Sequence, residues 1–149
     1  MTSKSLSALL DQYREQKDLL PLLEEVQRMY GYLPLEFIPE IANRLGITTS
    51  EVYGVSTFYS FLSRKPQGRN VIRVCKSLPC WLKKHESVII ELEKQLDIKP
   101  GQTTPDGKFS LELTNCIGAC DHAPAMMVND VTYGELTVEK LSEILELYQ

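Results

Sequence analysis

Apolar residues in the first 65 positions of the chain recur at the spacing of one helical face. Side chains three and four residues apart lie on the same side of a helix, so each such run predicts an amphipathic helix. Four runs have this spacing: Leu6, Leu9, Leu10 and Tyr13; Leu19, Leu22, Leu23, Val26 and Tyr30; Phe37, Ile38, Ile41 and Leu45; and Val52, Val55, Phe58, Tyr59 and Leu62. The amino-terminal part is therefore predicted to be a bundle of four helices.

The residues between these runs are typical of helix ends. Gly31 and Gly46 follow the second and third runs, where glycine commonly ends a helix. Pro34 suits the first turn of the third helix, and Thr48 with Glu51 has the spacing of a capping box for the fourth. Packing into the core is the favoured interpretation of the apolar face of the fourth helix, and docking of a partner protein is the alternative.

The pattern changes in the second half of the chain. Residues 71–74 form a short apolar run typical of a strand, and residues 83–96 have helical spacing. Apolar and polar residues alternate over 109–114, as in a half-buried strand. Two more strands flank the turn-forming pair Asn129-Asp130, and Thr137 caps a closing helix. The predicted order is β-α-β-β-β-α, and the whole chain is assigned to the α+β class.

A polar segment with proline and glycine, residues 64–69, separates the two halves and is typical of a linker. The chain has 149 residues, which is enough for one or two small domains with a core. We therefore predict one domain over residues 1–66, a helical bundle, and a second over residues 67–149.

The charge distribution excludes several classes of partner. Sixteen basic and 20 acidic residues give a formal net charge of -4, and the basic residues are scattered, so no nucleic-acid-binding surface is predicted. The longest uncharged stretch, residues 52–63, is far shorter than the roughly 20 apolar residues that a membrane span needs. Asp11 and Arg14 precede any apolar run that would serve as a signal-peptide core. We expect a soluble, cytoplasmic protein without direct membrane contact.

The four cysteines of the chain form two close pairs. Cys75 and Cys80 lie in V-C-K-S-L-P-C, and Cys116 and Cys120 lie in N-C-I-G-A-C, each pair directly after a predicted strand. An iron–sulfur cluster takes four cysteine thiolates, so the two loops supply the full ligand set of one two-iron cluster. A sheet would fix the positions of the sulfurs while the loops close over the metal.

Other interpretations of the cysteines remain open at this point. Two disulfides are typical of oxidising compartments, which the lack of an export signal disfavours. A structural zinc site also takes four thiolates, although its ligand pairs are usually spaced by two to four residues. A zinc-bound interaction module without a redox role is therefore the alternative function, and a reversible thiol-redox protein or buried spectator thiols are further alternatives. His85 and His122 are predicted to be structural, because four thiolates complete the ligand set.

Four segments carry a resemblance to a known family. They are M-Y-G-Y-L-P at residues 29–34, G-V-S-T-F-Y-S-F at 54–61, T-T-P-D-G-K-F at 103–109, and C-I-G-A-C-D-H-A-P with V-N-D across 116–130. With these motifs the chain resembles the thioredoxin-like [2Fe-2S] subunits of NADH-linked oxidoreductases. That family includes a small subunit of respiratory complex I and small subunits of NAD-coupled hydrogenases and formate dehydrogenases.

The resemblance implies a thioredoxin-like α/β ferredoxin domain after the helical bundle, with one [2Fe-2S] cluster on Cys75, Cys80, Cys116 and Cys120. It also implies a larger flavoprotein subunit, which holds FMN and the NAD(H) site and packs against the bundle, and other iron–sulfur subunits. The chain has neither a dinucleotide-binding glycine fingerprint nor a Walker loop. We therefore expect it to exchange single electrons with the flavoprotein and to perform no catalysis alone, in an assembly of the complex I, hydrogenase or formate dehydrogenase type.

Overall fold

The computed structural model describes residues 6–148, which form two compact units. One unit ends at Pro66 and is helical; the other begins at Gln67 and contains a five-stranded sheet. The predicted α+β class is therefore confirmed. None of the helices in the described part of the chain is long and apolar enough to cross a bilayer.

The first unit contains four helices that bury their apolar faces against one another. Their bounds are α1 (Leu6–Leu10), α2 (Leu19–Tyr30), α3 (Ile38–Leu45) and α4 (Thr49–Phe58). The side chains of Leu22, Leu23, Val26, Ile41 and Val52 are completely buried. These residues are the predicted apolar stripes, so the helical periodicity of the sequence accounts for the core of this unit.

The helix ends follow the predicted chemistry at most positions. Gly31 and Gly46 end α2 and α3 with positive φ angles of 78° and 66°, a conformation that glycine adopts without steric cost. At the start of α4 the Glu51 N–H donates to the Thr48 hydroxyl at 3.2 Å, and the Thr48 N–H donates to the Glu51 carboxylate at 2.8 Å. The capping box is therefore confirmed.

The prediction that Pro34 lies in the first turn of the third helix is wrong. Pro34 has an extended backbone and precedes a short 3-10 turn, Leu35–Phe37, and α3 begins at Ile38. Pro39 occupies the first turn instead. Proline has no N–H to donate, so it is tolerated only where the helix would leave that donor unpaired.

We expect Thr48→Ala to lower the free energy of unfolding by about 1 kcal/mol, because the Glu51 N–H loses its cap. Hydrogen bonds from the Thr48 N–H and hydroxyl also hold the pKa of Glu51 below its usual value. A carboxylate with a lowered pKa stabilises the fold above that pKa, so the effect of Thr48→Ala should shrink as the pH falls through it. Denaturant titration at several pH values measures the effect.

Thr49→Ala is the matched control for Thr48→Ala, since Thr49 is exposed at the first position inside the same helix. It should change the unfolding free energy by less than about 0.5 kcal/mol. Equal losses for both variants would contradict the assigned cap.

The second unit is a mixed sheet with helices in its connections. The strands are β1 (Asn70–Cys75), β2 (Gln102–Thr103), β3 (Phe109–Thr114), β4 (Met126–Val128) and β5 (Val131–Tyr133), in the spatial order β2-β3-β1-β4-β5. Central β1 is parallel to β3 and antiparallel to β4. Parallel neighbours need a long crossover, which here contains α5 (Leu78–Leu82) and α6 (His85–Leu96). Helix α7 (Val138–Glu146) ends the unit.

The predicted order of elements in this unit lacks two short ones. Helix α5 has 5 residues and β2 has 2, lengths at which periodicity gives no signal. The longer helix begins at His85 because Lys84 has a left-handed backbone with φ of 61°. The hairpin prediction is confirmed, since β4 and β5 pair across Asn129, which has φ of 54°.

The core interpretation of the α4 face is wrong at its carboxyl end. Val52 is buried, but Phe58 is 78% exposed. Helix α4 ends at Phe58 and the backbone of Tyr59 is extended, so the helical spacing does not continue. The exposed aromatic residues in and after α4 are here called the aromatic segment: Tyr53, Phe58, Tyr59 and Phe61.

Candidate metal centre

The two cysteine loops leave the sheet at the same edge. Cys75 is the last residue of β1 and lies opposite Thr114, the last residue of β3, in the parallel register. Cys116 follows two residues after β3, and Cys80 lies on α5 in the other loop. Because parallel strands end at one edge of a sheet, both loops begin side by side.

The first cysteine pair is inside the protein. The side chains of Cys75 and Cys80 are each 1% exposed, and they pack with Ala125 and the half-buried Ile117 and Ala119. Burial raises the pKa of the Cys80 thiol to about 11, and hydrogen bonding to Cys75 raises it further, whereas a backbone hydrogen bond from Ala125 opposes the shift. A metal bound at this pair therefore has to displace protons from thiols that hold them firmly.

The second cysteine pair lies at the surface. The Sγ atoms of Cys116 and Cys120 are 3.4 Å apart, and the Gly118 N–H donates to the Cys116 sulfur at 3.4 Å. This N–H, followed by the Cys120 thiol, lowers the pKa of Cys116, while the interaction with Cys116 is the main cause of a raised pKa at Cys120. Gly118 has φ of 83°, so glycine is the residue that turns this donor toward sulfur without strain.

The two pairs interact with each other. The negative charge of a Cys75 thiolate raises the pKa of Cys120, and the charge of Cys120 raises that of Cys80. Such interactions between cysteines of different loops require the sulfurs to be near neighbours. All four thiols are free rather than joined in disulfides. The structure thus brings all four predicted site residues to one edge of the sheet.

The sulfurs are arranged as two pairs. Among residues 6–148, no group of three or more His, Cys, Asp or Glu side chains is placed to hold one metal ion. A structural zinc ion takes all four ligands around a single centre, whereas a two-iron cluster divides four thiolates between two irons. The paired arrangement, with N–H groups of Gly118 and Ala125 directed at sulfur, fits a two-iron cluster.

Neither histidine has contacts typical of a ligand to this centre. His122 Nε2 is 3.2 Å from Asp121 Oδ2, and its Nδ1 is 3.7 Å from Glu135 Oε1. The His122 carbonyl accepts the Glu135 N–H at 2.6 Å, so His122 connects the second cysteine loop to the segment before α7. His85 is buried at the start of α6.

Gly134 contributes to the site, and sequence reasoning misses it. A Cβ atom at this position would lie 2.5 Å from His122 Cβ and 2.7 Å from the His122 carbonyl oxygen. The backbone at 134 therefore packs directly against the loop that follows Cys120. Nothing in the local sequence around Gly134 signals this, because the contact depends on a distant part of the chain.

Comparisons with known proteins agree on the family. The family described as thioredoxin-like [2Fe-2S] ferredoxin matches residues 6–149. A subunit of NADH-quinone oxidoreductase from Pseudomonas aeruginosa is 48% identical over 126 residues, which cover 85% of this chain and 76% of that protein. The subunit of the same name from Escherichia coli K12 is 47% identical over 127 residues, with the same two coverages.

Solved structures show the same fold. A chain of the NAD+-reducing [NiFe]-hydrogenase in the H2-reduced state superposes with a TM-score of 0.74 over 92% of this chain, at 23% sequence identity. The present chain spans 23% of that hydrogenase chain.

The family match extends over both units, and the relatives from the two bacteria share almost half of the aligned residues. The resemblance found in the sequence motifs is confirmed, and so is the predicted cofactor class, a [2Fe-2S] cluster, for which the family is named. The chain belongs to the thioredoxin-like [2Fe-2S] ferredoxin family.

Proposed function

We propose that this chain is an electron-transfer subunit with one [2Fe-2S] cluster on Cys75, Cys80, Cys116 and Cys120. The observation that carries the proposal is the convergence of two free cysteine pairs at the common edge of β1 and β3. A bound cluster of this kind accepts and releases single electrons. The chain would hold it by four thiolates, shield one pair from water and direct the N–H groups of residues 118 and 125 at sulfur.

We also propose that the electrons are exchanged with a larger flavoprotein subunit that holds FMN and the NAD(H) site. The relatives are subunits of NADH-quinone oxidoreductase, and a flavin is the cofactor class that links hydride chemistry to one-electron carriers. The assembly would be of the complex I, NAD-coupled hydrogenase or formate dehydrogenase type, with further iron–sulfur subunits. Its predicted location is the cytoplasm.

Metal and sulfide analysis of anaerobically purified protein tests the proposed cluster. We expect about two irons and two acid-labile sulfides per chain, a brown colour, and an electron paramagnetic resonance signal after one-electron reduction. A colourless protein with about one zinc and no sulfide would instead establish the zinc-bound interaction module. Reversible disulfides without iron or sulfide would establish a thiol-redox protein.

The aromatic segment is the surface that we propose for docking of the flavoprotein. Phe58 and Tyr59 border a groove of about 650 Å³ in the helical unit, which Leu20 and Val55 also line. Exposed aromatic side chains beside an apolar groove are typical of the anchor regions of protein interfaces. Their rings contact each other edge to face with centroids 5.1 Å apart, which limits the conformational entropy lost on binding.

We expect Phe58→Ala to weaken co-purification with the flavoprotein by about tenfold or more, since removal of an interface anchor commonly costs over 1 kcal/mol. Leu147→Ala is the control, because Leu147 is 73% exposed and Phe58 is 78% exposed, but Leu147 belongs to the other unit. Pull-down through a tag on this chain, with flavin as the readout, measures both. Recovery of as much flavoprotein with Phe58→Ala as with Leu147→Ala would refute the docking surface.

A further inference from the structure

Helix α5 exposes an apolar ridge next to the proposed cluster ligands. The ridge is formed by Leu78, Trp81 and Leu82, which are 65%, 54% and 65% exposed. Positions i, i+3 and i+4 lie on one face of a helix, so the three side chains form a continuous surface. Cys80, on the same helix, is buried.

This orientation reverses the usual amphipathic arrangement of a surface helix. Such helices bury their apolar face and expose their polar face, whereas α5 buries a cysteine and exposes its large apolar residues. Contiguous exposed apolar residues mark contact surfaces. Because a helix with side chains is about 10 Å wide, a protein seated on the α5 ridge would lie within about that distance of Cys80.

The charge around the ridge is locally positive. Residues 76–84 contain Lys76, Lys83 and Lys84 and no acidic residue, although the chain as a whole has a formal net charge of -4. All three lysines are exposed, and within residues 6–148 none of them forms an ion pair. The opposite loop has the other sign, with exposed Asp121 and Glu135 beside His122.

We propose that the α5 ridge and its three lysines form the surface through which the cluster exchanges electrons with a partner that presents an apolar centre and an acidic rim. This inference rests on the proposed function and adds to it the contact for electron exchange, separate from the aromatic segment. Apolar contact would hold the partner close to the ligand loop, and the lysines would steer its approach.

Electron transfer to an acidic flavodoxin tests the surface, with full-length cluster-loaded protein. The protein is reduced with dithionite and desalted anaerobically, then mixed with oxidised flavodoxin in a stopped-flow instrument. One electron leaves the cluster for the FMN, which takes up one proton from solvent, and the absorbance of the one-electron-reduced flavin reports the rate. Cluster content and midpoint potential are measured for every variant.

Two matched pairs of variants separate charge steering from apolar contact. Lys83→Glu and Lys94→Glu change the net charge equally, but Lys94 lies near the far end of α6. Leu82→Ala and Ile90→Ala remove side chains that are each 65% exposed, with Ile90 on α6. At low ionic strength we expect Lys83→Glu to transfer electrons about tenfold more slowly than Lys94→Glu. High salt should close this difference but should not close that between Leu82→Ala and Ile90→Ala.

The outcomes distinguish this inference from the proposed function. Wild-type protein without iron and sulfide would overturn both. A loaded wild type that reduces flavodoxin, with each α5 variant as fast as its matched α6 control, would overturn the docking surface alone. Loaded wild type that transfers no electron to flavodoxin would also overturn the docking surface. Slower transfer in the α5 variants at unchanged midpoint potential would support it.

Discussion

Cys80→Ala should remove the cluster almost completely from the purified protein. The Cys80 side chain is 1% exposed, so water cannot readily replace the missing thiolate at the metal. The variant also leaves the backbone N–H of Ala125 without its sulfur acceptor. Substitutions outside the ligand shell already reduce metal affinity 10- to 100-fold, so loss of a buried ligand should reduce iron and sulfide by at least about tenfold. Chemical iron and sulfide assays measure the change.

Ser77→Ala is the control for Cys80→Ala. Ser77 lies in the same loop, immediately before α5, and its side chain forms no capping hydrogen bond. Its iron and sulfide contents should equal those of the wild type. If Cys80→Ala retained the full content, Cys80 would not be a ligand and the proposed four-thiolate centre would be wrong.

Gly134→Ala should destabilise the second cysteine loop and lower the cluster content. The new Cβ would lie 2.5 Å from His122 Cβ and 2.7 Å from the His122 oxygen, distances that require the backbone to shift. Such overpacking costs about 1 to 3 kcal/mol. The displaced segment begins two residues after Cys120, so we expect both a lower thermal midpoint and faster loss of iron to a chelator.

Gly54→Ala provides the comparison for Gly134→Ala. Gly54 lies inside α4, and a Cβ there would have no neighbour within 4 Å. Alanine is a better helix former than glycine, so this variant should be neutral or more stable by up to about 1 kcal/mol. Similar behaviour of the two alanine variants would show that the contact between residues 134 and 122 is unimportant.

Features that depend on local chemistry were predictable from the sequence. Thr48 and Glu51 form a capping box, and Gly31 ends α2, because each effect involves residues within one turn of a helix. The spacing of the cysteines indicated one site after two strands, and the parallel register of β1 with β3 explains why the pairs converge. The ligation itself stays a prediction.

Features that depend on distant contacts were not predictable. The helical spacing around Phe58 suggested burial, but where α4 ends decides its exposure. Helix α5 is too short for a periodic signal, so the outward direction of Trp81 could not be foreseen. The close packing of Gly134 on His122 joins two loops whose proximity only the folded sheet establishes.

The parallel pairing of β1 with β3 has a consequence for biosynthesis. When the first cysteine pair leaves the ribosome, β3 and the second pair have not yet been translated, since Asn70 pairs with Phe109. The Cys75 N–H moreover donates to the carbonyl of Ala125, so the nascent polypeptide must extend beyond this residue before the pocket closes. Iron delivery to a complete site is therefore a post-translational event, and scaffold proteins that donate clusters would meet an almost fully synthesised chain.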